Sequence, residues 1–190
     1  MPSNKKPVIL FTTDALCDYQ RTLDYELDRL RGLFEEQEVK DDEGDFPPHI
    51  QERIKLLTTH PSWWEKLEVR DDTKTIYDSA CQLGYHPLIV ATHPNHDNNA
   101  GSMFHWIKRN FSHRDFTFVI SPEMLHGEVF VDINARRIQE WQAQHKRGLA
   151  IMVATEENAK TYEEDRNLIR YDGSEATSFY NALSRRINKK

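Results

Sequence analysis

An apolar, β-branched run near the start of the chain leads straight into a polar loop: KPVILFTTDALCD, residues 6–18. Residues 8–12 show no polar alternation, which suits a central parallel strand covered on both faces. Ligands of open α/β sheets sit in the loops just past the carboxyl ends of such strands. Thr12, Thr13 and Asp14 are therefore the first candidate positions. A lone Asp after a strand is also an ordinary cap or turn residue, so the rest of the chain must decide its role.

After this strand, Leu23, Leu27, Leu30 and Phe34 recur at helical spacing, with Gly32 as an internal blemish. An acidic, turn-rich stretch over 38–48 reads as an exposed loop, and 50–57 as a second short helix. Two helices before the next strand exceed a simple crossover, so residues 19–60 are expected to form a small helical cap insertion. The adjacent Trp63 and Trp64 read as a hydrophobic anchor for it rather than a ligand-stacking pair. Asp72 is expected to cap a helix carrying Ile76, Ala80 and Leu83 that Gly84 closes. Strands follow at 87–92, 116–121, 128–133 and 149–154, and helices at 98–110, 134–146 and 176–187. Met103, Trp106, Ile107, Ile138, Trp141, Phe179, Leu183 and Ile187 are the core candidates of those helices. Alternating strands and helices predict an α/β fold: one domain over 1–190, a three-layer, doubly wound parallel sheet.

Composition narrows the partners. A net charge of −6, with a basic cluster only in the tail 185–190, argues against a nucleic-acid binder, which needs a positive stripe for phosphates. Cys17 and Cys81, without a CxxC neighbour, read as free thiols of a reducing compartment. The opening MPSNKK has no apolar signal region, and no apolar run reaches membrane-spanning length. The expectation is a cytoplasmic protein with no membrane association.

Four strand ends gather polar residues: 12–14, 92–95, 121–124 and 132–134. In a parallel sheet all four open on one edge. Asp14 and Asp132 after buried strands, with Thr92 ending a third, make a constellation rather than a stray carboxylate. His93, His96 and Asp97 beside it have the chemistry of a transition-metal cluster. A polar loop with Asp97 as a helix N-cap is the simpler reading of that stretch.

At these positions the chain resembles the haloacid dehalogenase (HAD)-like superfamily, and within it the 5'(3')-deoxyribonucleotidases. PVILFTTDALCD over 7–18 stands where that family has a strand followed by Asp-x-Asp-Gly-Val-Leu-x-Asp. PSWWEKL over 61–67 resembles its Pro-Gly-Phe-Phe-x-x-Leu, and LIVAT over 88–92 its strand ending in Thr-Ser. VISPEM over 119–124 stands at its strand followed by Thr-Arg-Asp-Lys, and GEVFVD over 127–132 at Gly-Asp-x-x-x-Asp-Asp. The resemblance implies a Rossmann-like phosphatase fold, with Asp14 as general acid/base and Thr92 and His93 as ligand-binding positions.

The departures carry as much information. The resemblance puts Thr12 at the nucleophile, where a carboxylate is ionised at neutral pH and yields a labile acyl phosphate. Met124 stands at the lysine position, Ala15 replaces a glycine, and Asp132 is followed by Ile133. Of the implied Mg2+ ligands, Asp132 and the main-chain carbonyl of Asp14 remain, with Glu128 and Asn134 as helpers. One carboxylate without bound phosphate makes a poor Mg2+ site. Metal and lysine supply much of the charge stabilisation in phosphoryl transfer. The implied function is a pseudophosphatase retained for binding a nucleotide, a phosphate ligand or a protein partner. Two alternatives stay open: an active Mg2+-dependent nucleotidase with a rearranged site using Asp14 or Asp18, and a protein-interaction module.

Overall fold

The computed structural model describes residues 6–32, 46–92, 99–111, 115–162, 165–174 and 176–187, with Thr92 and Asn99 described by backbone alone. The chain begins with strand β1 (Val8–Thr12) and the one-turn helix α1 (Thr13–Leu16), followed by helices α2 (Tyr19–Leu30), α3 (Pro48–Thr59) and α4 (Trp63–Lys66). Then come α5 (Asp71–Gln82), β2 (His86–Thr92), α6 (Asn99–Asn110), β3 (Phe116–Val119) and a single 3-10 turn at Pro122–Met124. The last third adds β4 (Val129–Asp132), α7 (Ala135–Gln144), β5 (Leu149–Val153), α8 (Glu156–Ala159), β6 (Leu168–Tyr171) and α9 (Ala176–Ile187). Two compact units result. One comprises Met1–Cys17, Val69–His93 and Ser112–Lys190, the other Asp18–Glu68 and Pro94–Phe111. Residues 19–60, expected as an insertion, fall within the second.

The first unit contains a six-stranded, wholly parallel sheet in the order β3-β2-β1-β4-β5-β6. Alternate residues of each strand face opposite layers. On one face Leu10, Phe130, Ala150 and Met152 meet Ile138 and Trp141 of α7. On the other, Phe11 contacts the ring of Tyr77 in α5 at 5.4 Å, and Tyr171 that of Phe179 in α9 at 4.8 Å. Between them the three layers cover both faces of β1 and β4, which is why both read as unbroken apolar runs.

Several boundaries differ from expectation for local reasons. The sixth strand, Leu168–Tyr171, was not anticipated: its Arg170 interrupts the apolar pattern, and Arg170 Nη2 donates to the Thr155 carbonyl at 3.0 Å. Helix α5 begins at Asp71 with Arg70 as its N-cap, so Asp72 is not the cap. The Asp72 carboxylate instead takes Arg70 in a two-point pair at 3.1 and 2.7 Å. Gly84 does close that helix, in the left-handed region at φ +86°. Helix α9 has the anticipated bounds.

In the second unit, Leu23 and Leu27 of α2 are buried, but the helix stops at Leu30, which is exposed. Arg31 N–H turns back to the Asp28 carbonyl at 3.2 Å, a tightened last turn just before Gly32. Phe34 and most of the expected acidic loop lie outside the described residues. The two tryptophans are buried, and their ring partners belong to their own unit. Trp63 meets Tyr19 at 5.4 Å, and Trp64 meets Trp106 of α6 at 5.7 Å. Trp106 Nε1 also donates to the Leu67 carbonyl at 2.8 Å. Glu26 is buried beside Lys66 at 2.9 Å and Arg29 at 2.8 Å. Burial works to raise its pKa, and the two cations outweigh burial and hold it below the ordinary value.

Among the described residues no helix is long and apolar enough to cross a membrane. Neither Cys17 nor Cys81 is part of a disulfide.

Candidate functional site

Strand order reverses its winding between β1 and β4, so the crevice of the sheet opens at the carboxyl ends of these two strands. Phe11 pairs with Val131, which sets the next residues, Thr12 and Asp132, side by side at the rim. By strand alternation both share the face of Leu10 and Phe130, the face covered by α7. Asp14 follows in α1, two residues past the end of β1.

Asp132 is fully buried, and its carboxylate is closely held. Oδ1 accepts the N–H of Ile133 at 2.7 Å and of Asn134 at 3.0 Å. It also accepts Arg137 Nη2 at 3.0 Å. Oδ2 lies 2.9 Å from Arg137 Nε, a close ion pair whose angle falls short of a directed hydrogen bond, so neither atom has such a bond. Arg137 Nη2 further donates to Asp14 Oδ2 at 2.6 Å, and the Asp14 side chain is 40% exposed. One guanidinium thus joins a buried and a half-exposed carboxylate.

Electrostatics follow from burial. Desolvation pushes the Asp132 carboxyl up to about 6, with the Asp14 charge adding to the rise. Arg137 and the two backbone N–H groups pull the other way without cancelling it. For Arg137, burial favours the neutral form, but the charges of Asp132 and Asp14 outweigh burial and raise its pKa above the ordinary value.

Thr12 is also fully buried, with its Oγ1 donating to the Val131 carbonyl at 3.4 Å. It is the N-cap residue of α1, yet its side chain makes no capping bond. The hydroxyl is turned toward β4 instead.

The remaining sequence candidates fall elsewhere. Glu128 is removed from the metal-ligand set: its Oε2 accepts Val8 N–H at 2.6 Å, at the amino end of β1, the opposite edge of the sheet from Asp14. Asn134 is likewise a structural group, its side-chain oxygen accepting Arg137 N–H at 3.0 Å as the N-cap of α7. Met124 does not join the carboxylates. Its sulfur accepts Gln144 Nε2 at 3.3 Å. Gln144 is two turns down α7 from Arg137, about 10 Å along the helix. Asp18 belongs to the second unit, where its carbonyl accepts Thr22 N–H at 3.2 Å and Thr22 Oγ1 at 2.9 Å. Thr92 ends β2, but its side chain, together with His93, His96 and Asp97, lies outside the described residues.

Two participants were missed in the sequence. Arg137 is the first. It lies one helical turn before Trp141, on the stripe that faces the sheet, and that spacing was a readable signal. Asn158 is the second, a buried hub behind the rim. Its Nδ2 donates to the carbonyls of Ile133 at 2.9 Å and Val153 at 2.8 Å. Its Oδ1 accepts Thr155 N–H at 3.0 Å and Arg170 Nε at 3.3 Å. Replacing it with alanine removes all four of these bonds. Asn158→Ala is expected to lower the unfolding free energy by about 3 kcal/mol, read from urea denaturation.

The resemblance read from the sequence implies a divalent metal at this rim, and the residues present do not fit one. Thr12 offers no carboxylate, and Glu128 is at the far edge. Among the described residues Asp132 Oδ2 is the one buried side-chain oxygen lacking a directed bond, and a guanidinium nitrogen already lies 2.9 Å from it. A cation added there would meet the positive charge of Arg137 at close range.

A recess of about 400 Å³ is lined by Gln142, His145, Met152, Asp165 and Asn167, among others. None of the residues described above at the carboxylate rim lines it.

No protein-family model matches the chain, and no curated protein matches it. Solved structures do. A haloacid dehalogenase-like family hydrolase from Xanthomonas campestris is similar with a TM-score of 0.54 at 12% identity, covering 99% of this chain and 100% of that one. A HAD-superfamily hydrolase from Ehrlichia chaffeensis gives 0.47 at 16% identity, covering 98% and 100%. The likeness to the Xanthomonas structure is one of fold: six parallel strands flanked by helices, as in HAD hydrolases.

Proposed function

We propose that this chain is a HAD-fold pseudophosphatase, related in design to 5'(3')-deoxyribonucleotidases and retained for binding a nucleotide or other phosphate ligand without hydrolysing it. The observation that carries the reading is the burial of Thr12, which the resemblance puts at the nucleophile position, with its hydroxyl directed to a backbone carbonyl. A threonine hydroxyl attacks phosphorus only when a base removes its proton. A peptide carbonyl is no such base, and the carboxylates of Asp14 and Asp132 are engaged by Arg137. Had Thr12 attacked, the product would be a stable phosphate ester rather than an acyl phosphate.

The test is phosphate release from p-nitrophenyl phosphate and deoxynucleoside monophosphates, with and without Mg2+. Release at the buffer rate, unchanged by Asp14→Asn, is the expected result. Turnover abolished by Asp14→Asn would replace this reading with an active phosphomonoesterase of rearranged site. Thr12→Asp is expected to leave the chain inactive, because the restored carboxylate would still lack a metal and a lysine. A thermal shift on adding deoxynucleoside monophosphate or inorganic phosphate is the expected sign of retained binding.

A further inference from the structure

The residues that would surround a metal in this fold are joined here by a side chain of the protein itself. Arg137 reaches Asp14 with Nη2 at 2.6 Å, and Asp132 with Nη2 at 3.0 Å and Nε at 2.9 Å. The remaining contacts of Asp132 are backbone N–H groups of Ile133 and Asn134. Asn134 in turn caps the helix that carries Arg137, so the donor and its anchor form one local unit. We infer that Arg137 is a resident cation that takes the place of the divalent metal, making the site metal-independent.

The chemistry supports permanence. A guanidinium carries a fixed charge and a planar set of donors, and it cannot be deprotonated at physiological pH. Unlike Mg2+, it is covalently attached and cannot be lost to dilution or chelation. It also cannot bridge a phosphate in the way a metal with open water positions does. A phosphate entering this crevice would therefore be held without a metal bridge. This inference does not rest on the absence of turnover: it concerns which cation holds the carboxylates.

The experiment uses Mn2+ as the probe. In titrations followed by electron paramagnetic resonance, the wild-type chain is expected to show no saturable site at millimolar metal. Arg137→Ala, which frees both carboxylates, is expected to gain a saturable site with a Kd at least about tenfold below the millimolar range. Arg137→Ala/Asp132→Asn is expected to lose that gain. Saturable, Asp132-dependent Mn2+ binding by the wild type would overturn the inference, as would a folded Arg137→Ala without any gain. Should Arg137→Ala not fold, the wild type decides alone. The Arg137 Nε–H resonance, assigned with Arg137→Lys, is expected to persist when Mn2+ is added, and its selective bleaching would overturn the inference.

Discussion

Arg137→Met is expected to lower the free energy of unfolding at pH 7 by about 3–5 kcal/mol, the usual cost of stranding one partner of a buried ion pair. The loss arises at Asp132, which would keep two backbone donors but no countercharge. Its pH dependence has a definite sign. In the wild type the folded-state pKa of Asp132 is raised from 3.8 to about 6 by burial. Between those values the folded chain holds a proton that the unfolded chain has released. The contribution of Asp132 to stability therefore rises as pH falls from 7 through about 6 toward 4. Removing Arg137 raises the folded pKa further and extends the window upward. The deficit of Arg137→Met should thus be largest at pH 7–8 and shrink by pH 5.

Urea denaturation at pH 7.5 and pH 5 checks this. An equal deficit at both values would mean that Arg137 acts by packing rather than charge. Arg137→Met/Asp132→Leu should be more stable than Arg137→Met alone, because no charge is left buried. Measurements belong at pH 5 or above. Glu26 has a depressed folded pKa, so its contribution is present above its unfolded value of 4.5 and is lost as pH falls through the folded one.

Trp141→Ala is expected to cost about 3–5 kcal/mol. Its indole is fully buried between two rings, Phe130 at 5.4 Å and His145 at 4.6 Å, both nearly parallel to it. Its Nε1 donates to the Leu125 carbonyl at 3.0 Å, fixing the segment that leads from β3 back to β4. The fit is tight on the third side as well: a Cβ at Gly148 would lie 2.2 Å from the ring. The indole therefore has no room to be replaced by a shifted neighbour, and alanine leaves a cavity lined by the sheet. Trp141→Phe should recover most of the packing but not the bond to Leu125. Denaturation midpoints of the two variants separate these contributions.

The reach of the sequence can be traced residue by residue. Strands β1 and β4 were legible because both faces are covered, leaving Val8–Thr12 and Val129–Asp132 almost free of polar residues. Helix α7 was legible from Ile138 and Trp141. Strand β6 was not, because it mixes Leu168 and Tyr171 with Arg170, a residue whose partner Thr155 is distant in sequence. The site was half legible. Asp14, Thr12 and Asp132 stand at strand ends, and strand ends in a parallel sheet share an edge. Glu128 entered the ligand set through the resemblance, although it starts the strand that Asp132 ends and so belongs to the amino edge. Its bond to Val8 N–H holds it there.

By itself, then, the amino-acid sequence determined the layers, the parallel sheet and the two carboxylates at its rim, since burial pattern and chain order are properties of neighbouring residues. What holds those carboxylates was decided only in three dimensions. Arg137 meets Asp14 across 123 positions of chain, and no local pattern encodes a contact over that separation. It exists because strand order 3-2-1-4 brings β4 and its following helix against β1. That juxtaposition turns an ordinary helix arginine into the cation of the site.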